Sequence, residues 1–362
     1  MKNKLGAILR ILVSVGILAY LFNGIFHKEA QEYFAAHNIN PDTLSWIERA
    51  SIVWSVGPKV LWQEFQRINL MWFGAAIICA GIPAVLGLIR WRWVLHVQGL
   101  DVKFWRLFSI TFIGMFFNAF MLGSTGGDVI KAWYVAHETH HKKAEAIATV
   151  VVDRLIGLLV LFVIALIMMA IFYQRVFEDP KLLWFSIATL AVVLTTVLIT
   201  ILGVWRGFTD RFPKLRARLQ RMPKYDTFRR MISAYRDYAS HPAILIKTVL
   251  ISFPVHILSM ISIWCVGRGL GIQSATITDY LLYLPIINSV TAVPITISGF
   301  GVREGMYVTM FGQVHVTERA ALVMSLLGYL ATLFWSVVGG VFFLTHRKEL
   351  PPAKEMVSGE AA

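Results

Sequence analysis

From residue 146 to residue 172 the chain runs on with only two charged side chains, Asp153 and Arg154, and no other feature constrains its fold as strongly. Crossing a hydrocarbon slab takes roughly 20 consecutive apolar residues of helix, and a run this long is a candidate membrane span. Further apolar runs cover residues 5–26, 70–89, 182–204, 244–266 and 320–344. Because these runs are continuous rather than alternating, a transmembrane barrel is excluded. The 362 residues are 57% hydrophobic and 15% charged, which excludes a soluble core protein as well. The expected class is an all-α polytopic membrane protein.

The formal net charge of +13 does not point to nucleic acid, because the basic residues gather beside apolar runs, where they set topology and meet anionic headgroups. Lys2, Lys4 and Arg10 start the first run, and no small-residue cleavage site follows it, so it reads as a retained span starting in the cytoplasm. Residues 205–243 hold ten basic side chains against three acidic ones and read as a cytoplasmic connection. Its apolar residues, Phe228, Ile232, Tyr235 and Tyr238 among them, suit either an amphipathic helix on an anionic leaflet or a solvated topology signal. The tail 346–362 begins with His346, Arg347 and Lys348 and is also assigned to the cytoplasm. Between residues 27 and 69, Pro41 and Pro58 are expected to break the chain. Trp46, Trp54 and Trp62 suggest an amphipathic segment at the outer interface, or an ordinary loop. Cys79 and Cys265 each lie in an apolar run and read as small buried hydrophobes.

Two polar, glycine-rich breaks interrupt apolar sequence. The first is Gly123-Ser124-Thr125-Gly126-Gly127-Asp128, and the second is Ser298 through Gly305. The loops on both sides of residues 107–141 are basic, so that stretch must enter and leave from the inside; the same counting makes residues 279–318 enter and leave from the outside. The expectation is about six full transmembrane helices plus two re-entrant broken hairpins in a single transmembrane domain, 1–345. Its halves, 1–172 and 182–345, would form an inverted repeat of the kind that places a transporter site near the midplane. Asn118 and Asn288 each precede a break, and Asp153-Arg154 has an echo in Glu318-Arg319.

The site residues follow from this plan. Gly126 and Gly127 allow close approach of a ligand to the backbone, and Asp128 stands where a helix begins, a place suited to phosphate or simply to a cap. Arg154, well inside an apolar run, needs a partner in the bundle interior, for which Asp128 and Glu304 are candidates. Lys131 and Arg303 complete a mixed-sign cluster, which either locks the two halves statically or holds an anionic headgroup. Asn118, Asn288, Gly299 and Gly301 are assigned to the same binding site, with no catalytic or metal-binding residue and no cofactor. His137-Glu138-Thr139-His140-His141 matches a zinc protease pattern, but Lys142 and Lys143 follow at once and no third ligand is evident, so an interfacial polar patch is the better reading.

The Arg92-Trp93 segment, Asn118 through Asp128, Asp153-Arg154 followed by Gly157, and above all Gly299-Phe300-Gly301-Val302-Arg303-Glu304-Gly305 carry a resemblance. They resemble the flippase-like transmembrane family found at the N-terminal side of lysylphosphatidylglycerol synthases and as stand-alone proteins. The resemblance covers most of residues 70–345 and implies an integral inner-membrane protein connected with lipid translocation. The chain stops after its last span with no soluble aminoacyl-transferase domain, so synthesis of an aminoacyl lipid is not expected. The expected function is transport of an anionic or phosphate-bearing lipid between leaflets of the bacterial cytoplasmic membrane, with both termini inside and anionic lipids as partners. No P-loop is present, so transport would be passive or driven by an ion gradient. A membrane-embedded transferase on a lipid-linked donor and a non-transporting scaffold are the alternatives.

Overall fold

A computed structural model describes residues 2–120, 126–139, 142–204, 233–234, 236–292 and 299–345, with the side chains of 2–11, 143, 199–200, 202–204 and 239 left aside. Gly123, Ser124, Thr125, His140, His141, Ser298, most of the basic connection and the tail lie outside the described residues. Every regular element among the described residues is helical: α1 (Lys2–Ala36), α2 (Trp46–Gln66), α3 (Leu70–Val97), α4 (Phe104–Phe120), α5 (Gly126–Glu138), α6 (Lys143–Ile171), α7 (Tyr173–Glu178), α8 (Pro180–Val204), α9 (Pro242–Gly269), α10 (Ile277–Thr291), α11 (Val302–Phe311) and α12 (Glu318–Thr345), with short 3-10 turns between some of them. Five described helical stretches are long and apolar enough to cross a membrane: Leu70–Val97, Ala144–Ile171, Pro180–Leu198, Pro242–Gly269 and Glu318–Thr345. The all-α polytopic membrane class read from the sequence is therefore the class of the fold.

The chain divides into two compact units, one formed by Met1–Cys79 with Met260–Thr332 and the other by Ala80–Ser259 with Leu333–Ala362. In the first unit, α2 starts at a capping box. The Ser45 hydroxyl accepts from the Glu48 amide at 3.3 Å, and the Ser45 amide donates to Glu48 Oε2 at 2.9 Å. One stripe of α2, Val53, Gly57 and Leu61, is buried, and Gly57 lies directly under the Phe26 ring of α1. Pro58 was expected to break this segment and instead sits inside α2. Gly57, with no Cβ, relieves part of the crowding at that step, and α3, α9 and α10 likewise carry Pro83, Pro254 and Pro285 in their interiors after larger residues. Pro41 does act as a breaker, opening a 3-10 turn capped by Asn40.

In the same unit α10 and α11 form a helical hairpin. Tyr280 and Tyr283 near the start of α10 flank Phe311 at the end of α11, with ring centroids 4.9 and 5.4 Å apart. At the other end, a Cβ at Gly299 would lie 3.3 Å from Thr291 Cβ, so the two arms run antiparallel. Helix α1 packs across the tip, where Gly301 faces Ile17 and the Ser14 carbonyl.

The second unit holds the corresponding hairpin of α4 and α5. Arg106 at the start of α4 donates to Glu138 at the end of α5 at 2.7 Å, and Asn118 near the end of α4 accepts from the Gly127 amide at 2.8 Å. Those two contacts fix antiparallel arms. They come so close that a Cβ on Gly127 would overlap the Gly114 carbonyl oxygen. Helix α12 lies against α4 at a second glycine contact, Gly339 on the Phe112 carbonyl. The arms are short: 17 and 13 residues for α4 and α5, 15 and 10 for α10 and α11. At 1.5 Å per residue they reach about 15–25 Å, less than a membrane's hydrocarbon thickness.

Candidate functional site

The second unit gathers five charged side chains from three helices, α3, α5 and α6, with Ser252 and His256 of α9 beside them. Arg90 on α3 is buried; α3 continues to Val97, and while Arg92 is exposed, Arg90 turns inward. Its guanidinium makes a two-pronged pair with Asp153 of α6, Nε to Oδ1 at 2.7 Å and Nη2 to Oδ2 at 3.0 Å. Nη1 donates to Ser252 Oγ of α9 at 2.9 Å, and Ser252 in turn donates to the Thr248 carbonyl at 2.7 Å. Gly157 leaves room for this arginine, since a Cβ there would come within 3.2 Å of Nη1. His256 of α9 bonds the Gly157 carbonyl at 2.9 Å, so the carbonyl accepts and the ring nitrogen donates.

At the next residue of α6, Arg154 forms an ion pair with Asp128 in the first turn of α5. The Asp128 side chain is 14% exposed and that of Arg154 is 44% exposed, so one edge of the pair faces outward. Asp153 and Arg154 are adjacent on α6 and point to different sides, which is why each takes a separate partner. Lys131, one turn beyond Asp128, runs its stem over Gly114: a Cβ at that glycine would be 2.5 Å from Lys131 Cε. Its ammonium ends 5.6 Å above the Trp91 ring. The indole is itself held by a bond from Nε1 to Thr149 Oγ1 at 3.3 Å.

The first unit holds the other set. Glu304 in the first turn of α11 is fully buried and its oxygens are saturated. Oε2 accepts from the Gly301 amide at 2.6 Å, while Oε1 accepts from Arg303 Nε at 3.0 Å, Arg303 Nη2 at 2.6 Å and Ser325 Oγ at 3.1 Å. The Arg303 guanidinium is clamped between Phe300 and Tyr329, 5.1 and 5.0 Å from the ring centroids. Gly301 carries a φ of +86° and Gly299 one of +76°, left-handed conformations that favour glycine and let the chain turn into α11. Asn288 stands in the last turn of α10, its carbonyl accepting from the Ala292 amide at 2.9 Å.

The site residues expected from sequence thus fall into two sets. Asn118, Gly126, Gly127, Asp128, Lys131 and Arg154 lie in one unit; Asn288, Gly299, Gly301, Arg303 and Glu304 lie in the other. Arg154 takes Asp128, and Glu304 takes Arg303 and Ser325 within its own unit. Sequence reasoning missed Arg90, Ser252 and the Phe300–Tyr329 clamp. Arg90 left a usable signal: Asp153 is an acidic residue inside another apolar run, and buried charges of opposite sign seek each other. Glu318 and Arg319, the expected echo of Asp153-Arg154, pair with Lys28 and Glu29 of α1, Arg319 to Glu29 at 2.9 Å. Among the described residues no group of three or more His, Cys, Asp or Glu side chains is placed to hold a metal ion.

Long apolar helices, two short-armed helical hairpins and buried arginine–carboxylate pairs define an all-α polytopic membrane protein with charged groups held among its helices. The chain belongs to the lysylphosphatidylglycerol synthase TM region family, whose profile matches residues 43–340. It is 22% identical to a UPF0104 membrane protein of Pyrococcus horikoshii over 83% of this chain and 94% of the relative. It is 21% identical to UPF0104 membrane proteins of Methanocaldococcus jannaschii, over 77% of this chain and 86% of the relative, and of Methanothermobacter thermautotrophicus, over 80% and 88%. No solved structure matches the chain significantly.

Proposed function

We propose that this membrane protein moves an anionic or phosphate-bearing lipid between leaflets of the cytoplasmic membrane, with both termini on the cytoplasmic side. The observation that carries the reading is the charged set Asp128, Lys131 and Arg154 at the start of α5. Membrane insertion disfavours an Arg, Lys or Asp at a helix centre by roughly 2.5–3.5 kcal/mol each, so such groups kept together among apolar helices mark a pathway or a ligand site. The helix N-terminus supports the same choice of ligand: its amides and dipole favour an anion.

In this reading the hairpins α4–α5 and α10–α11 are re-entrant, entering from opposite faces as halves of an inverted repeat. Their arm lengths and antiparallel closure support that reading. Irregular backbone is tolerated at membrane depth only where protein buries it or water lines it. Arg154 receives the headgroup and Asp128 orients it. Arg303 and Glu304, with Asn288, Gly299 and Gly301, shape the tip of the second hairpin. No chemical step is assigned to any of these residues.

Transport is tested by reconstituting the purified protein in liposomes containing a headgroup-intact fluorescent phospholipid and measuring the fraction quenched by external dithionite. Arg154→Ala is expected to bring the rate down to that of protein-free vesicles while the variant still purifies as a folded species. Wild-type rates in that variant would remove the proposed site.

A further inference from the structure

Within the cluster of Arg90, Asp128, Lys131, Asp153 and Arg154 the charges do not balance. Arg90 is neutralised by Asp153 and Arg154 by Asp128, each carboxylate holding one arginine. Lys131 is then the remaining cation. All four of those charges act on it electrostatically, yet among the described residues it forms no ion pair of its own. What it does have is the face of Trp91. An aromatic face attracts an ammonium through its quadrupole but supplies no countercharge.

Lys131 is also positioned with care. Gly114 makes the groove in which its stem lies, and Thr149 fixes the indole that its ammonium covers. The cluster therefore carries three cations against two anions, and its surplus of one positive charge sits at Lys131. A single negative charge on a ligand would balance it.

On the transport reading above, we infer that the substrate class is a lipid phosphodiester whose remaining headgroup is uncharged, and that Lys131 receives its single negative charge. A phosphomonoester carries a charge between one and two near neutral pH and would overshoot. A headgroup ending in an ammonium would bring a fourth cation to three. The required chemistry is shared by glycerol-type phospholipids and by polyprenyl phosphodiesters of neutral sugars.

The test uses the full-length protein in liposomes with four fluorescent probes: phosphatidylglycerol, phosphatidic acid, phosphatidylcholine and a short-chain polyprenyl phosphate sugar. Wild-type protein is expected to carry phosphatidylglycerol, the polyprenyl diester or both faster than the other two, and transport of one alone identifies the source. Lys131→Met is expected to slow the preferred probe by about tenfold or more, the scale of losing a charge-assisted contact, and Lys131→Arg to retain most of the rate. Phosphatidic acid or phosphatidylcholine moving as fast as the diesters would overturn the substrate class. Full activity in Lys131→Met would overturn the role of the lysine, while continued dependence on Arg154 would leave the transport reading standing. If wild-type protein carries none of the four probes, the transport reading itself falls, and this inference with it.

Discussion

Replacing Gly127 with alanine puts a methyl group where the two arms of the first hairpin already touch. The added Cβ would overlap the Gly114 carbonyl oxygen and stand 2.7 Å from both Gly114 C and Asn118 Cγ, against 3.4 Å for an ordinary contact. The obstacle is mainly backbone, so no rotamer change relieves it. The added Cβ stands 1.8 Å from the Gly114 carbonyl oxygen, so helices α4 and α5 must part by about 1.6 Å to reach 3.4 Å, and the 2.8 Å bond from the Gly127 amide to Asn118 stretches out of range. Overpacking of this kind costs roughly 1–3 kcal/mol and a lost buried hydrogen bond about 1 kcal/mol, so a loss of roughly 2–4 kcal/mol is expected. Gly87→Ala on α3 is the control, because a Cβ there meets nothing within 4 Å. That change should be neutral or slightly stabilising, as alanine is the better helix former. Thermal unfolding in mild detergent, followed by tryptophan fluorescence, compares the two. A Gly127→Ala midpoint equal to that of Gly87→Ala would refute the close approach of the arms and with it the placement of Asp128 and Lys131.

Further outcomes follow from the same contacts. Arg90→Ala leaves Asp153 partly buried beside Ser252 without its partner and should cost roughly 3–5 kcal/mol, whereas the double change Arg90→Met with Asp153→Leu should recover most of that loss in the same unfolding assay. Glu304→Gln keeps the shape but removes the charge that neutralises Arg303, so unfolding should move to lower temperature and transport should fall with it; a transport defect without a stability defect would contradict the anchoring role. Ser45→Ala should weaken the start of α2 by about 1 kcal/mol, read as faster hydrogen exchange at the Glu48 amide. The bond from the Ser45 hydroxyl, helped by the Ser45 amide, holds the Glu48 carboxyl below its ordinary range, so this cap is intact at neutral pH and is lost as pH falls through that lowered value.

Much of the architecture was legible because a membrane imposes few solutions. Uninterrupted apolar runs can only be helices, and residues such as Gly126, Gly127, Gly299 and Gly301 mark where those helices stop and restart. Charge alone did not say which arginine faces inward. Arg90 and Arg92 are two residues apart between tryptophans, and only the packing of α3 on α6 decides that Arg90 meets Asp153 while Arg92 stays outside. The partner of Arg154 was among the expected ones because an arginine inside an apolar run has few acidic residues to choose from. The clamp on Arg303 was not foreseeable: Phe300 and Tyr329 are 29 residues apart in the chain, and aromatic residues are common throughout. Pro58 misled because a packed helix can carry a proline in its interior, as α3, α9 and α10 do at Pro83, Pro254 and Pro285.

The proposed re-entrant path of α4 and α5 is tested most directly by cysteine labelling in oriented membrane vesicles. In a background with Cys79 and Cys265 replaced by alanine, Trp105→Cys and His137→Cys place thiols on exposed positions near the two outer ends of the hairpin. Both are expected to react with a membrane-impermeant maleimide from the cytoplasmic face alone. Labelling of the two positions from opposite faces would mean that the stretch passes straight through the membrane, and the site built on its tip would have no basis.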